Sequence, residues 1–249
     1  MVTPAFKMKM QKSGFTDAKD KTIQPRLIIA LSGLEKQGKT HFALTAPGPI
    51  AMYSTDIGEE GVVEKFPKKD VYIMTIDKVD EDAAEQAPVE YDRFRKSYNS
   101  MLREKEVRSI VFDTATEIWE LLRMARVGKL TQVMPYQYGP VNAEYRALIR
   151  DAYKHDKNLI LLHKMKPQYL NDKRTGEYER SGFSDTGFLV QVNAQIYRYA
   201  PEDGGEFVLW VKDCRQNEAL AGVEMVQSNC NFQSLAIQTL PMVDPTNWG

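Results

Sequence analysis

Gly33, Gly38, Lys39 and Thr40 stand in the order and spacing G-x-x-x-x-G-K-T, within the stretch Gly33-Leu34-Glu35-Lys36-Gln37-Gly38-Lys39-Thr40-His41. These residue types at this spacing suit one kind of chemistry. Glycines let the backbone curl until several N–H groups face a single cradle, the lysine reaches the outer phosphates of a nucleotide, and the threonine hydroxyl is placed for Mg²⁺. The pattern arises by chance in about one chain in a hundred of this length. The flanking residues must therefore decide between a phosphate cradle and an ordinary glycine turn.

They favour the cradle. Residues 26–32 are a short apolar run suited to a buried parallel strand, and residues 41–46 can begin a helix that Pro47 stops. A second strand pattern, Arg108 to Asp113, ends in an acid, where a nucleoside triphosphatase places the carboxylate that holds Mg²⁺ through water. Asp113 followed by Thr114 also suits a helix cap, and the two roles are compatible. ATP and Mg²⁺ are the expected ligands, with residues 33–41 binding the nucleotide and Thr40 and Asp113 the metal.

The chain that must position these groups has 249 residues, 43% of them hydrophobic, enough to bury the core of one large α/β domain. Thirty-three basic and thirty-four acidic side chains nearly cancel, so any nucleic-acid site must be a local patch. Cys214 and Cys230 lack the spacing of a zinc site or a disulfide framework, which suits a reducing cytoplasm. The apolar runs are strand-sized and the start MVTPAFKMKM has no apolar stretch behind it, so neither membrane span nor signal peptide is expected.

Residues 1–24, Lys-rich with few core candidates, read as a flexible basic arm, residues 25–240 as the folded domain and residues 241–249 as a tail. Strand patterns at 49–54, 70–76, 108–113 and 158–163 alternate with a short helix near 61–66 and helices at 89–105, 115–127 and 141–155. Residues 77–88 and 128–140 are read as loops. The alternation predicts an α/β fold, a mostly parallel sheet with helices on both faces, whose ligand site lies at the carboxyl ends of the strands. Residues 194–200 and 206–212, joined by Pro201-Glu-Asp-Gly-Gly205, add a C-terminal β-hairpin.

In its loop, strand-terminal acid and terminal hairpin, the chain resembles the RecA-like P-loop ATPases over roughly residues 25–230. More narrowly, it resembles the short phage-encoded group that works in single-strand annealing and recombination. The resemblance implies a catalytic acid after the second strand, where members read hydrophobic-hydrophobic-Asp-x-Glu. Here Met52-Tyr53-Ser54-Thr55-Asp56 puts Asp56 at the Glu position and Ser54 at that of the Asp. A carboxylate there orients the attacking water. Glu59 and Glu60 stand as alternatives, and so does a plain capping role for Asp56. His163, ending its strand, stands at the position of a polar γ-phosphate sensor, or is a hydrogen-bonded neighbour. Lys212 and Arg215 match two positions of the Lys-Asn-Arg segment that members insert into a neighbour's site, while Asp213 and Cys214 depart from it.

The resemblance also implies single-stranded DNA as a partner, held past the strand ends. Lys129, Tyr136 and Tyr138 in one loop, and Lys166, Tyr169, Lys173, Arg174 and Arg180 in a second over 164–180, offer cations for phosphates and rings for bases. The competing reading of the second is a solvated loop turning at Thr175-Gly176. Phe6 beside Ala5 could dock on a neighbouring subunit. The expectation is a homo-oligomer, ring or filament, that hydrolyses ATP at subunit interfaces and anneals or exchanges strands in a host cell's cytoplasm. A phage single-strand-binding protein or another replication or recombination protein would be its protein partner. A helicase loader or motor acting on a protein, or a slow nucleotide-binding switch, are the rivals.

Overall fold

A computed structural model of the chain describes residues 2–79, 81–129 and 134–249. Its elements run in the order α1 (Pro4–Lys12), β1 (Ile28–Ser32), α2 (Lys39–Leu44), β2 (Ile50–Ser54), β3 (Val71–Thr75), α3 (Ala87–Arg103), β4 (Ser109–Asp113), α4 (Ala115–Val127) and α5 (Pro135–Lys154). There follow β5 (Asn158–His163), β6 (Met165–Leu170), β7 (Lys173–Arg180), α6 (Thr186–Leu189), β8 (Val192–Arg198), β9 (Phe207–Cys214), β10 (Glu224–Val226) and α7 (Phe232–Thr239).

Eight strands form one sheet in the order β10-β9-β8-β1-β5-β4-β2-β3. The pairs among β8, β1, β5, β4, β2 and β3 are parallel; β9 and β10 extend the sheet antiparallel. Strands covered on both faces read as unbroken apolar runs, and every residue of β1, β2, β4 and β5 is buried. Alternate residues of β1 serve opposite cores. Ile28 and Ala30 pack with Tyr53, Tyr91, Phe94, Tyr98, Phe112 and Tyr145 under the α3–α5 layer, and Leu27, Ile29 and Leu31 pack with Phe42, Leu235 and Trp248 on the α2 and α7 side. The sheet is thus clamped between two helical layers, as the alternation predicts. Its free carboxyl edge carries Ser32, Ser54, Asp113 and His163, the last residues of β1, β2, β4 and β5.

Several expectations change. The N-terminal arm contains the nine-residue helix α1, capped by the Thr3 hydroxyl and burying no residue. Helix α5 starts at Pro135, six residues before the position read from sequence, because proline at a first helical position gives up an N–H that has no partner there and Gln137 Oε1 accepts the Met134 N–H at 2.8 Å. The expected loop at 128–140 is shortened to that extent, and its residues 130–133 lie outside the described residues. The expected loop at 164–180 is instead the antiparallel hairpin β6–β7, which turns at Asn171 and Asp172 with φ of 51° and 60°. Two left-handed residues in succession make the tight turn that matches strand twist, so Thr175 and Gly176 lie within β7 and not at its turn. At the other end Trp248 is buried against Phe232, and the Arg108 guanidinium donates to the Asn247 and Gly249 carbonyls, so the terminal residues pack on the body. Among the described residues no helix is long and apolar enough to cross a membrane.

Candidate nucleotide site

The loop between β1 and α2 needs glycine twice. A Cβ on Gly33 would stand 2.7 Å from the Ile196 carbonyl oxygen of β8. Gly38 has φ +89°, and a Cβ there would meet the Phe207 ring at 3.0 Å. The loop is therefore seated on the β8–β9 pair. Lys39 Nζ donates to the Gly33 and Leu34 carbonyls at 3.0 and 2.7 Å, which folds the ammonium into the loop. Burial lowers its proton affinity, and the charges of Asp113 and Asp56 oppose that shift.

The Thr40 hydroxyl donates to Asp113 Oδ2 at 2.7 Å, joining the first turn of α2 to the end of β4 across β5. Asp113 is 2% exposed. Its burial, aided by the like charge of Asp56, pushes the carboxyl up to about 6 in spite of the Thr40 hydrogen bond. A hydroxyl and a buried, under-compensated carboxylate in contact are hard oxygen donors that fit Mg²⁺. Among the described residues no three His, Cys, Asp or Glu side chains could hold a metal by themselves. That suits an ion that takes its remaining ligands from phosphates and water.

Ser54 and Asp113 are register partners, so the segment after β2 lies beside the Thr40–Asp113 pair. Asp56 and Glu59 both act on Asp113 through their charge, and the Ser54 hydroxyl donates to Glu59 Oε2. Glu60 is exposed and is not among the charges that shift Asp113. His163 is fully buried with its Nδ1 3.1 Å from the Ser181 carbonyl, while its Nε2 has no hydrogen-bond partner. Burial, with Arg180 nearby, pushes the ring down to about 3, so it is neutral. With Nδ1 donating to a carbonyl, Nε2 offers a lone pair. In that state the ring can accept from a water but cannot donate to a phosphoryl oxygen.

Residues 26–198 match the AAA domain family. The chain belongs to that family. No curated protein matches it. Among solved structures the RadB recombinase is similar to this AAA domain in fold, with a TM-score of 0.50 at 11% identity, covering 82% of this chain and 87% of that one. A KaiC-like protein from the hyperthermophilic archaeon Pyrococcus horikoshii OT3 aligns at a TM-score of 0.46 and 12% identity, over 84% of this chain and 87% of its own. The fold is that of the RecA-like P-loop ATPases.

The AAA domain does not bring Lys212 and Arg215 to its own loop. Strand β9 runs against β8, with Arg198 opposite Phe207 and Val192 opposite Cys214, so the loop packs on the start of β9 while the two basic residues lie toward the far end. Lys212 Nζ sits 5.1 Å from the Trp210 ring centroid, and Arg215 donates to the Phe188 carbonyl.

The eight candidate strand-binding residues divide. Lys129, Tyr136, Lys166, Tyr169, Lys173 and Arg174 are exposed. Lys166 is ion-paired with Glu179 at 3.2 Å, and Arg174 lies 5.6 Å from the Tyr178 ring and donates to its hydroxyl. Tyr138 and Arg180 are less exposed and engaged within the chain. The Tyr138 ring lies parallel to Trp119 at a centroid distance of 6.2 Å. Arg180 donates to Asn193 Oδ1 at 2.9 Å and to the Ser184 carbonyl at 3.1 Å, which anchors the hairpin to β8. Sequence reasoning missed Glu117 in the first turn of α4, and it grouped Lys164 with the strand-binding loop. Lys164 Nζ is 2.5 Å from Glu117 Oε1 and 3.9 Å from Asp56 Oδ2, at the edge of the nucleotide site. Its position immediately after the strand-terminal His163 was the available signal.

Proposed function

We propose that this chain is an oligomeric ATPase that binds single-stranded DNA and acts in phage recombination, by annealing or strand exchange, in the cytoplasm of the host. The observation that carries the ATPase part is the Thr40–Asp113 contact, which assembles loop hydroxyl and strand-terminal carboxylate at one point. Lys39 and the loop amides hold the phosphates, and Thr40 and Asp113 hold Mg²⁺, which when bound neutralises the charge of the triphosphate. Asp56 orients the water that attacks the γ-phosphate, with Glu59 beside it as the alternative. An apolar cleft of about 300 Å³ next to Gly38 and His41, walled by Ile196, Phe207 and Cys230, supports a place for the nucleoside. Lys212 and Arg215 serve a neighbouring subunit, since β9 carries them away from their own loop, and the site is then completed in trans. Binding to DNA rests on Tyr169 and Lys173 of the hairpin and on Lys129 and Tyr136. The RadB recombinase, similar in fold, supports placing the reading in recombination.

A partner-driven motor or loader is the second reading. The internal engagement of Lys166, Arg174, Arg180 and Tyr138 favours it, because each is one cation or ring fewer for DNA. ATP hydrolysis measured with and without single-stranded DNA separates the two, with a sizing run in a non-hydrolysable ATP analogue alongside. The expected outcome is Lys39-dependent hydrolysis stimulated by DNA, with assembly driven by the analogue. Hydrolysis indifferent to DNA in a protein that stays monomeric would favour the second reading.

A further inference from the structure

Two carboxylates, Asp56 and Glu59, act on a third, Asp113, beside the nucleotide loop, and Lys39, the cation among them, is committed to the Gly33 and Leu34 carbonyls. A second cation reaches the same place from another element. Lys164 Nζ lies 2.5 Å from Glu117 Oε1 and 3.9 Å from Asp56 Oδ2, with the three side chains 36%, 24% and 32% exposed. Its backbone is fixed from both sides. The Lys164 N–H donates to Thr116 Oγ1 at 3.1 Å, and its carbonyl accepts the Ser181 N–H at 2.8 Å, where β6 leaves the sheet and β7 returns. Gly182 allows that closure, since its φ is +98° and a Cβ would stand 3.3 Å from Thr116 Cα. Glu117 also has Lys78 Nζ at 3.6 Å, so moving the Lys164 ammonium toward Asp56 leaves Glu117 compensated.

We propose that Lys164, at the root of the β6–β7 hairpin, is a positioning residue that holds the Asp56 carboxylate in place for hydrolysis, with Glu117 as the counter-ion that aims its ammonium. This rests on the reading of Asp56 as the water-orienting acid. A carboxylate that orients a water works only if its rotamer is fixed, and an ion pair to a cation whose own main chain is anchored does that. The same lysine ties the acid to the root of the hairpin, so a ligand that shifts the hairpin shifts the acid.

The test uses the full chain in five forms: unaltered, Lys164→Met, Lys164→Arg, Asp56→Asn, and Lys164→Met with Asp56→Asn. Turnover of ATP and affinity for a non-hydrolysable ATP analogue are measured on each. Lys164→Met is expected to lower kcat by about 30-fold while analogue affinity changes less than about threefold, and Lys164→Arg to recover most of the loss. In the Asp56→Asn background the lysine change should add nothing further, because it acts through the lost carboxylate. Effects that multiply in the double variant overturn the proposal, as does a Lys164→Met protein with unaltered turnover and weakened single-strand binding. An Asp56→Asn protein with full, Lys39-dependent turnover removes the acid itself and the positioning role with it. Absence of any Lys39-dependent hydrolysis in the unaltered chain removes the ATPase reading beneath both.

Discussion

Asp113 keeps a negative charge where solvent does little to stabilise it, and the cost is visible in its proton affinity. Folding raises the carboxyl from an ordinary value of 3.8 to about 6. The folded state therefore binds this proton more tightly than the unfolded state. Below pH 4, where both states are protonated, the group costs the folded chain nothing; between pH 4 and 6 the cost builds, and it levels off at no more than about 3 kcal/mol of destabilisation by pH 7.5. Asp113→Asn keeps an oxygen for the Thr40 hydroxyl and removes the charge. The nucleotide-free variant should be more stable than the unaltered chain by about 1–3 kcal/mol in urea unfolding at pH 7.5, with a smaller gain at pH 5. Its Mg²⁺-dependent nucleotide affinity should fall at least about tenfold at the same time. Stability lost on substitution at pH 7.5 would contradict the account of this residue.

At the scale of elements, the residues of the β6–β7 hairpin divide into anchors and an exposed tip. Arg180 anchors it to β8 and Lys164 to α4, whereas Tyr169 and Lys173, beside the Asn171-Asp172 turn, are exposed. Tyr169→Ala and Lys173→Ala should each weaken single-strand binding without lowering the melting temperature, by about 1–3 kcal/mol for a stacked base and with a shallower salt dependence for the lysine. Arg180→Ala should instead destabilise the fold, because it leaves Asn193 and the Ser184 carbonyl without their donor. Binding by fluorescence anisotropy across a salt series, set beside thermal melts, checks both; unchanged affinity for the tip variants would take the hairpin out of the DNA reading. Strands buried on both faces announce themselves as apolar runs, so β1, β2, β4 and β5 were readable with their terminal residues. The hairpin was not, since β7 is exposed almost throughout and its residues show no apolar alternation. Its turn uses Asn-Asp rather than glycine. Lys164 was legible as a cation but not as a neighbour of Glu117, because that contact joins residues 47 positions apart.

The whole molecule places its candidate nucleotide loop and the Lys212/Arg215 segment at opposite ends of one sheet. Thr40, Asp56 and Asp113 lie at the carboxyl edge of the parallel strands, while Arg215, whose N–H donates to the Gln191 carbonyl at 2.9 Å, lies at the amino edge. A strand of seven residues separates them, roughly 20 Å. In the proposed function a basic finger at that distance would act only on another copy, and a contact joining opposite ends of identical molecules is head-to-tail, which closes into a ring or continues as a filament. Both segments were legible in the sequence, and only the antiparallel course of β9 shows that they do not meet within one chain. The most direct test mixes two proteins that are each expected to be inactive: Lys39→Ala, with a dead nucleotide loop and an intact finger, and Lys212→Ala/Arg215→Ala, with an intact loop and no finger. Mixed in equal amounts and allowed to assemble, they should recover up to roughly a quarter of the unaltered ATPase rate, because about one interface in four joins an intact loop to an intact finger. Hydrolysis that stays at the sum of the two separate proteins, in a mixture shown to co-assemble, would contradict a site shared between subunits.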